Sequence, residues 1–199
     1  LGRQPHPWVV IGYPRHSAVA AVHADDYGGA LAAMGHLLEL GHRRIGVISS
    51  GPGAYALEER MRGVAAALAA AGLELDGTLL AAGDLTIESG ERGAQELLGR
   101  PEPPTAIFAL NDRMAIGAMQ AARDRGLSVP GDLSVVGFDD ISLSALLAPA
   151  LTTIRQPGYQ LGAAACAALF RLLNGAAKVE STVLPTELIV RGTSAPPGG

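Results

Sequence analysis

The stretch from Pro104 to Arg155 constrains the fold of this chain more than any other. It reads PTAIFALNDRMAIGAM, then GLSVPGDLSVVGFDD, then PALTTIR. Two short apolar runs, Ala106 to Leu110 and Leu133 to Phe138, each end in a polar pair, Asn111-Asp112 and Asp139-Asp140. A helical pattern from Asp112 to Arg125 lies between them, stopped by Gly126. Short apolar runs alternating with helices of this length predict a parallel sheet covered on both faces. In such a sheet ligands bind outside the carboxyl ends of the strands. The two polar pairs therefore stand where a pocket is expected.

The remaining chain repeats the alternation. Trp8 to Gly12 is a strand candidate, broken by Tyr13-Pro14-Arg15-His16-Ser17, and Ala18 to His23 is a second. Asp25 or Asp26 is placed to cap a helix whose apolar residues Tyr27, Leu31, Met34, Leu37 and Leu38 follow a 3.6 period, with Gly41 as its stop. Strand Arg44 to Ser49, loop Gly51-Pro52-Gly53, helix Leu57 to Ala71 and weak strand Thr78 to Ala82 come next. Thr86 is the predicted N-cap of a helix reaching Leu98, with Glu88 and Glu91 favouring its positive end. After the Asp139-Asp140 pair the pattern predicts a short helix or turn over Ile141 to Leu147. Strand Leu151 to Arg155, helix Tyr159 to Leu173 and one final strand, Thr182 to Val190, then follow, with Pro185 marking an edge or bulge. Residues 195–199 read as a disordered tail.

Composition narrows the class. Of 199 residues 48 % are hydrophobic and 17 % charged, a globular balance, and the net charge of −4 argues against a free-standing nucleic-acid binder. The densest basic spot, His42-Arg43-Arg44, is too short to hold a duplex. The single cysteine, Cys166, excludes an internal disulfide and reads as a buried structural thiol. No apolar run approaches the roughly 20 residues of a membrane span, and Leu1-Gly2-Arg3-Gln4-Pro5 has no secretory pattern. A cytoplasmic protein without a membrane partner is the expectation.

Candidate chemistry is sparse. There is no P-loop, no G-x-S-x-G elbow and no i, i+4 histidine pair, and Ser49, Ser50, Ser142 and Ser144 have no evident histidine partner. No metal or cofactor is expected. Adjacent carboxylates rarely point the same way, so Asp139 is the pocket candidate and Asp140 is equally well read as a cap for the next turn. A carboxylate at Asp139 can accept two hydrogen bonds from vicinal hydroxyls, and Asn111 offers both donor and acceptor. Both suit a neutral polyhydroxylated ligand better than acid–base chemistry. Arg60, one turn into its helix beside Glu58 and Glu59, reads on spacing alone as a solvated surface charge. His42 reads as a polar contact satisfying loop backbone, not as a catalyst.

Seven segments in order closely resemble the effector-binding domain of LacI/GalR-family transcription regulators. They are Asp25 to Ala30, His36 to Ile45, Arg60-Met61-Arg62-Gly63, Gly83 to Gly90, the two strand-and-pair segments above, and Leu184 to Arg191. The resemblance implies a doubly wound, periplasmic-binding-protein-like (type I) fold and no enzymatic activity. It implies a small-molecule effector, a sugar, held between two subdomains at the positions of Arg60, Asn111 and Asp139, with Asp25 and Leu85 nearby. Arg60 is thereby promoted from surface charge to ligand fork. Leu85 stands where many members carry Phe or Trp. The resemblance implies a homodimer formed through a surface that includes Ile116, Met119, Leu146 and Leu147. It further implies a fragment that lacks the helix-turn-helix head, the only route to operator DNA, and most of the N-terminal subdomain. On that reading residues 1–24 and 151–178 are N-terminal-subdomain remnants, 25–150 is the C-terminal effector-binding subdomain and 179–194 its return strand. Two rivals remain: a periplasmic sugar-binding protein serving a transporter, and a Mg-dependent α/β hydrolase using Asp25, Asp26 and Asp139.

Overall fold

A computed structural model describes residues 6–14, 19–51, 53 and 55–198. The segments Leu1 to Pro5 and Arg15 to Ala18, with His16, lie outside the described residues, as do Pro52, Ala54 and Gly199. The chain divides into two units.

The larger unit, Asp26–Arg155 with Glu187–Gly199, holds most of the core. In chain order across the protein, β1 is Val10–Ile11, β2 Ala21–Ala24, α1 Asp26–Glu39, β3 Ile45–Ser50, α2 Tyr55–Ala70 and β4 Leu80–Gly83. They are followed by α3 Ile87–Leu98, β5 Ala106–Ala109, α4 Asp112–Asp124, β6 Ser134–Asp139, β7 Thr152–Arg155, α5 Gly158–Leu173, β8 Thr182–Leu184 and β9 Glu187–Ile189. The larger unit's sheet runs β4-β3-β5-β6-β7-β9, parallel except for β9, which lies antiparallel to β7. Phe108, Phe138, Ile107, Leu110 and Ile154 fill its interior. The step from β3 to β4 runs one way along the sheet, whereas β4 to β5 and β5 to β6 run the other. Right-handed crossovers then place α2 on one face and α3 and α4 on the other. The strand order reverses at β3 and β5, so the ends of these two strands mark the switch point where such sheets bind ligands.

Local signals held where their partners are local. Thr86 caps α3 by accepting from the Ser89 N–H, and Gly41 and Gly126 follow α1 and α4 with φ of +100° and +73°. His42 is buried, bonded to the Thr105 and Ser134 hydroxyls and to the Ala195 carbonyl.

The smaller unit comprises the described part of Leu1–Asp25 and Gln156–Thr186. Its parallel sheet β1-β2-β8 packs Val22 and Ala24 against Leu161 and Ala165 of α5.

Four expectations need correction. The predicted single strand from Thr182 to Val190 is two strands in two different sheets: β8 pairs with β2, and β9 with β7. Pro185 between them has no N–H to continue a ladder, and the Thr186 hydroxyl turns to the Asp25 carbonyl. The strand Leu151 to Arg155, expected in the N-terminal remnant, lies in the six-stranded sheet, because Thr152, Thr153 and Ile154 are buried alongside β6. The supposed tail is anchored at its start, the Ala195 N–H donating to Ser134 Oγ at 3.0 Å. Cys166 is exposed: α5 buries only Leu161, Ala165 and Ala168, and residue 166 points away from that stripe.

Helices α3 and α4 touch backbone to backbone through two glycines. A Cβ on Gly90 would strike the backbone of Met114, and one on Gly117 the Ile87 carbonyl and the Glu91 amide. Gly117→Ala is therefore expected to destabilise the protein by about 1–3 kcal/mol or more, read as a lowered urea midpoint. An unchanged midpoint would mean that the helices are not in this contact.

Candidate functional site

The carboxyl ends of β3, β4, β5 and β6 carry the candidate residues. Arg60 comes from α2, whose buried positions Leu57, Arg60, Val64, Ala67 and Leu68 follow one helical stripe. That stripe is legible in the sequence and overrules the surface-charge reading: Arg60 is only 5 % exposed. Its Nε donates to Asp26 Oδ1 at 2.7 Å, one terminal nitrogen donates to the Leu110 carbonyl, and the other reaches Asp139 Oδ1 at 3.3 Å. The guanidinium carbon lies 3.6 Å from the centroid of the Phe138 ring, which adds cation–π attraction. One planar fork thus ties α1, the end of β5 and the end of β6 together.

Asn111 is the N-cap of α4. Its Oδ1 accepts from the Met114 N–H at 2.8 Å and its Nδ2 donates to the Leu85 carbonyl at 3.1 Å. Leu85 is held in the left-handed region (φ +71°), as are Asp139 (φ +120°) and Asp140 (φ +54°). Non-glycine residues avoid this region, and such strain collects at ligand-binding positions. The Asp139 side chain is 29 % exposed. Arg60, Leu85, Asn111 and Asp139 are thus brought to one edge of the larger unit. Asp25, the fifth expected residue, belongs to the smaller unit, where its N–H donates to the Leu184 carbonyl at 2.8 Å.

Asp140 does not cap the following turn; it accepts 2.7 Å hydrogen bonds from both Arg155 and Arg191. Burial pushes its carboxyl up, but these two guanidinium groups outweigh burial and hold it below its ordinary value. The following turn is held by Asp112, fully buried at the start of α4, whose Oδ2 accepts from the Ile141 N–H (2.9 Å) and the Ser144 hydroxyl (2.6 Å). Its Oδ1 accepts from the Thr153 hydroxyl. That oxygen occupies the space a Cβ on Gly137 would need, which explains the glycine in VVGFDD. Neither the Asp26–Arg60 pair nor the Asp112 staple was visible in the sequence, because each joins elements far apart in the chain.

Of the expected dimer residues, Leu146 is 79 % exposed beside exposed Leu143, and Ile116 and Leu147 are half-buried. Met119 is only 7 % exposed and belongs to the core, so the exposed apolar surface is smaller than the sequence implied. Among the described residues no group of three or more His, Cys, Asp or Glu side chains could hold a metal ion, and no helix is long and apolar enough to cross a membrane.

Comparison with known proteins gives this edge its context. Residues 34–194 match the family described as periplasmic binding protein-like domain, and the chain belongs to that family. Its relatives there are LacI-family regulators. The HTH-type transcriptional repressor CytR of Escherichia coli (strain K12) is 40 % identical over 174 residues, 87 % of this chain and 51 % of the relative. The HTH-type transcriptional regulator CelR of Thermobifida fusca is 37 % identical over 182 residues, 91 % of this chain and 53 % of the relative. The chain thus spans about half the length of the curated relatives it matches. Among solved structures, a transcriptional regulator CelR–cellobiose complex superposes with a TM-score of 0.89 at 36 % identity, covering 94 % of this chain and 58 % of that one. A LacI family transcriptional regulator from Enterococcus faecium with bound ribose gives 0.89 at 30 % identity, covering 96 % and 71 %.

Two predictions follow from the buried charges. Arg60→Met leaves Asp26 buried and unpaired and is expected to cost about 3–5 kcal/mol, measured by denaturant unfolding; a loss below about 1 kcal/mol, the scale of a surface ion pair, would put Arg60 back on the surface. Burial raises the Asp112 carboxyl from its ordinary 3.8 to about 6, against the pull of Ser144, Thr153 and Ile141. Between those values the folded protein holds a proton that the unfolded chain has released. Stability from this group is therefore present at low pH and lost as pH rises through about 6, by roughly 3 kcal/mol. Asp112→Asn, which mimics the protonated acid, is expected to be more stable than wild type at pH 7.5, with the gap closing toward pH 4.5. A pH-independent gap would sink this assignment.

Proposed function

We propose that this chain is the effector-binding and dimerisation portion of a LacI/GalR-type transcription regulator that senses a small polyhydroxylated molecule, a sugar. The observation that carries this reading is the strained, half-exposed Asp139 carboxylate, held by buried Arg60 beside Asn111 at the switch point of the sheet. A carboxylate fixed in this way accepts hydrogen bonds from vicinal hydroxyls without the cost of ordering it on binding. Leu85 completes the proposed effector set of the larger unit. The relatives' names favour a regulator over a transport receptor. The hydrolase alternative loses its carboxylates: Asp26 and Asp139 both pair with the Arg60 guanidinium, so a cation already holds them. Exposed Leu146 and Leu143 support self-association through the turn over residues 142–146, and half-buried Ile116 and Leu147 belong to the same proposed surface.

In the whole protein the ligand would act through differential affinity for two states of the regulator, which is the most it can contribute. Linkage would then carry that difference to operator DNA bound by an attached head. Asp139→Ala in the full-length regulator is expected to leave the domain folded, because Asp26 still pairs with Arg60. It should weaken the effector response by about tenfold to a hundredfold for each charged hydrogen bond lost. Release of an operator fragment, followed by fluorescence anisotropy as effector is added, measures this. A fully retained response would remove Asp139 from the site.

A further inference from the structure

The helix starts at the proposed effector edge are all acidic. A helix N-terminus carries partial positive charge and unpaired N–H groups, which makes it an anion site by default. Asp26 occupies the first turn of α1, Glu58 that of α2, Glu88 that of α3 and Asp112 that of α4. The Thr86 and Asn111 side chains take N–H groups at the starts of α3 and α4, and Glu58 accepts from the Gly53 N–H.

The buried and half-buried cations of this edge are committed as well. Arg60 is shared among Asp26, Leu110 and Asp139. Arg155 pairs with Asp140 and Glu187, and Arg191 binds Asp140 and the Leu151 carbonyl. Arg92 lies 3.7 Å from Asp84, just past β4. Arg113, in the first turn of α4, shares the outward helix face with Gln120 and Asp124. The chain's one lysine, Lys178, belongs to the smaller unit. Glu58 also lines a pocket of about 310 Å³ with Ser49, Ser50, Gly51, Leu57 and Met61, at the end of β3.

We propose that the effector is uncharged: this edge accepts sugar hydroxyls and rejects phosphate esters and sugar acids. The inference rests on the effector reading above and narrows its ligand class. A phosphate or carboxylate placed at the end of β6 would meet the Asp139 carboxylate, with the guanidinium groups of Arg60, Arg155 and Arg191 already engaged by carboxylates. Like charges brought together in a partly desolvated site cost several powers of ten in affinity. A neutral polyol instead donates O–H groups to the Asp139 carboxylate.

The test uses the full-length protein in two arms. In the first, inorganic phosphate is titrated against chloride at matched ionic strength, with thermal unfolding and the amide shifts of Asn111 and Asp139 as readouts. No saturable effect is expected; saturable stabilisation with shifts at those two amides overturns the proposal. In the second, binding is compared within pairs: cellobiose and cellobionate, ribose and ribose 5-phosphate, glucose and glucose 6-phosphate. Any binder is expected to be the neutral member, its anionic partner weaker by about a hundredfold or more. An anionic member that binds as tightly as its parent overturns the proposal. If no member of any pair binds while phosphate is also refused, the effector reading for these sugars fails and the exclusion of anions stands on the first arm.

Discussion

The buried guanidinium of Arg60 is the interaction on which the larger unit's proposed effector edge depends. Burying a charge is tolerated only when its hydrogen-bonding capacity and its charge are both met, and Arg60 meets them with groups from three separate elements. The Asp26 carboxylate starts α1, the Leu110 carbonyl ends β5, and Asp139 ends β6. A lysine could neutralise one of these carboxylates, but it has no rigid fork with which to reach all three partners. Phe138 beneath the guanidinium completes the seat. The geometry of the edge is therefore set from behind, by a residue itself almost out of contact with solvent.

Around that seat the backbone is held in conformations it would not choose. Leu85, Asp139 and Asp140 all have positive φ, and each is pinned by a side chain from elsewhere: Leu85 by Asn111, Asp139 by Arg60, Asp140 by Arg155 and Arg191. Strain of this kind persists only where the surroundings over-determine it. The polar pairs at the ends of β5 and β6 thus divide their labour. Asp139 stands part-exposed at the edge, whereas Asn111, Asp112 and Asp140 hold the loops around it.

Much of this architecture was legible in the sequence, for reasons that differ from element to element. Thr86, Gly41 and Gly126 act on their own neighbours, so their signals survive folding unchanged. The alternation of strand and helix over Ala106 to Phe138 needs only local periodicity. The nature of Arg60 lay in the 3.6-residue stripe of Leu57, Val64 and Ala67, although the adjacent Glu58 and Glu59 suggested a solvated start. By contrast, Asp26, Asp112 and the partners of β9 are fixed by residues tens of positions away, and nothing in their local sequence names those partners. Cys166 failed for a related reason. The apolar sequence of α5 does not record that the smaller unit covers only the face carrying Leu161, Ala165 and Ala168.

The two-part return near Pro185 carries a consequence for how the protein is made. The chain leaves the larger unit after Arg155, builds α5 and β8 in the smaller one, and comes back at Glu187. On its return β9 closes the sheet beside β7, the Thr193 carbonyl accepts from the Val135 N–H while its hydroxyl donates to the Val135 carbonyl, and Ala195 docks on His42 and Ser134. During synthesis the six-stranded sheet therefore waits with an open edge at β7, and with buried hydroxyls unsatisfied, until residues 187–195 have emerged from the ribosome. A nascent chain paused inside α5 exposes the strand edge most prone to pair with a neighbour, so residues 187–195 act as a clasp that ends this exposure.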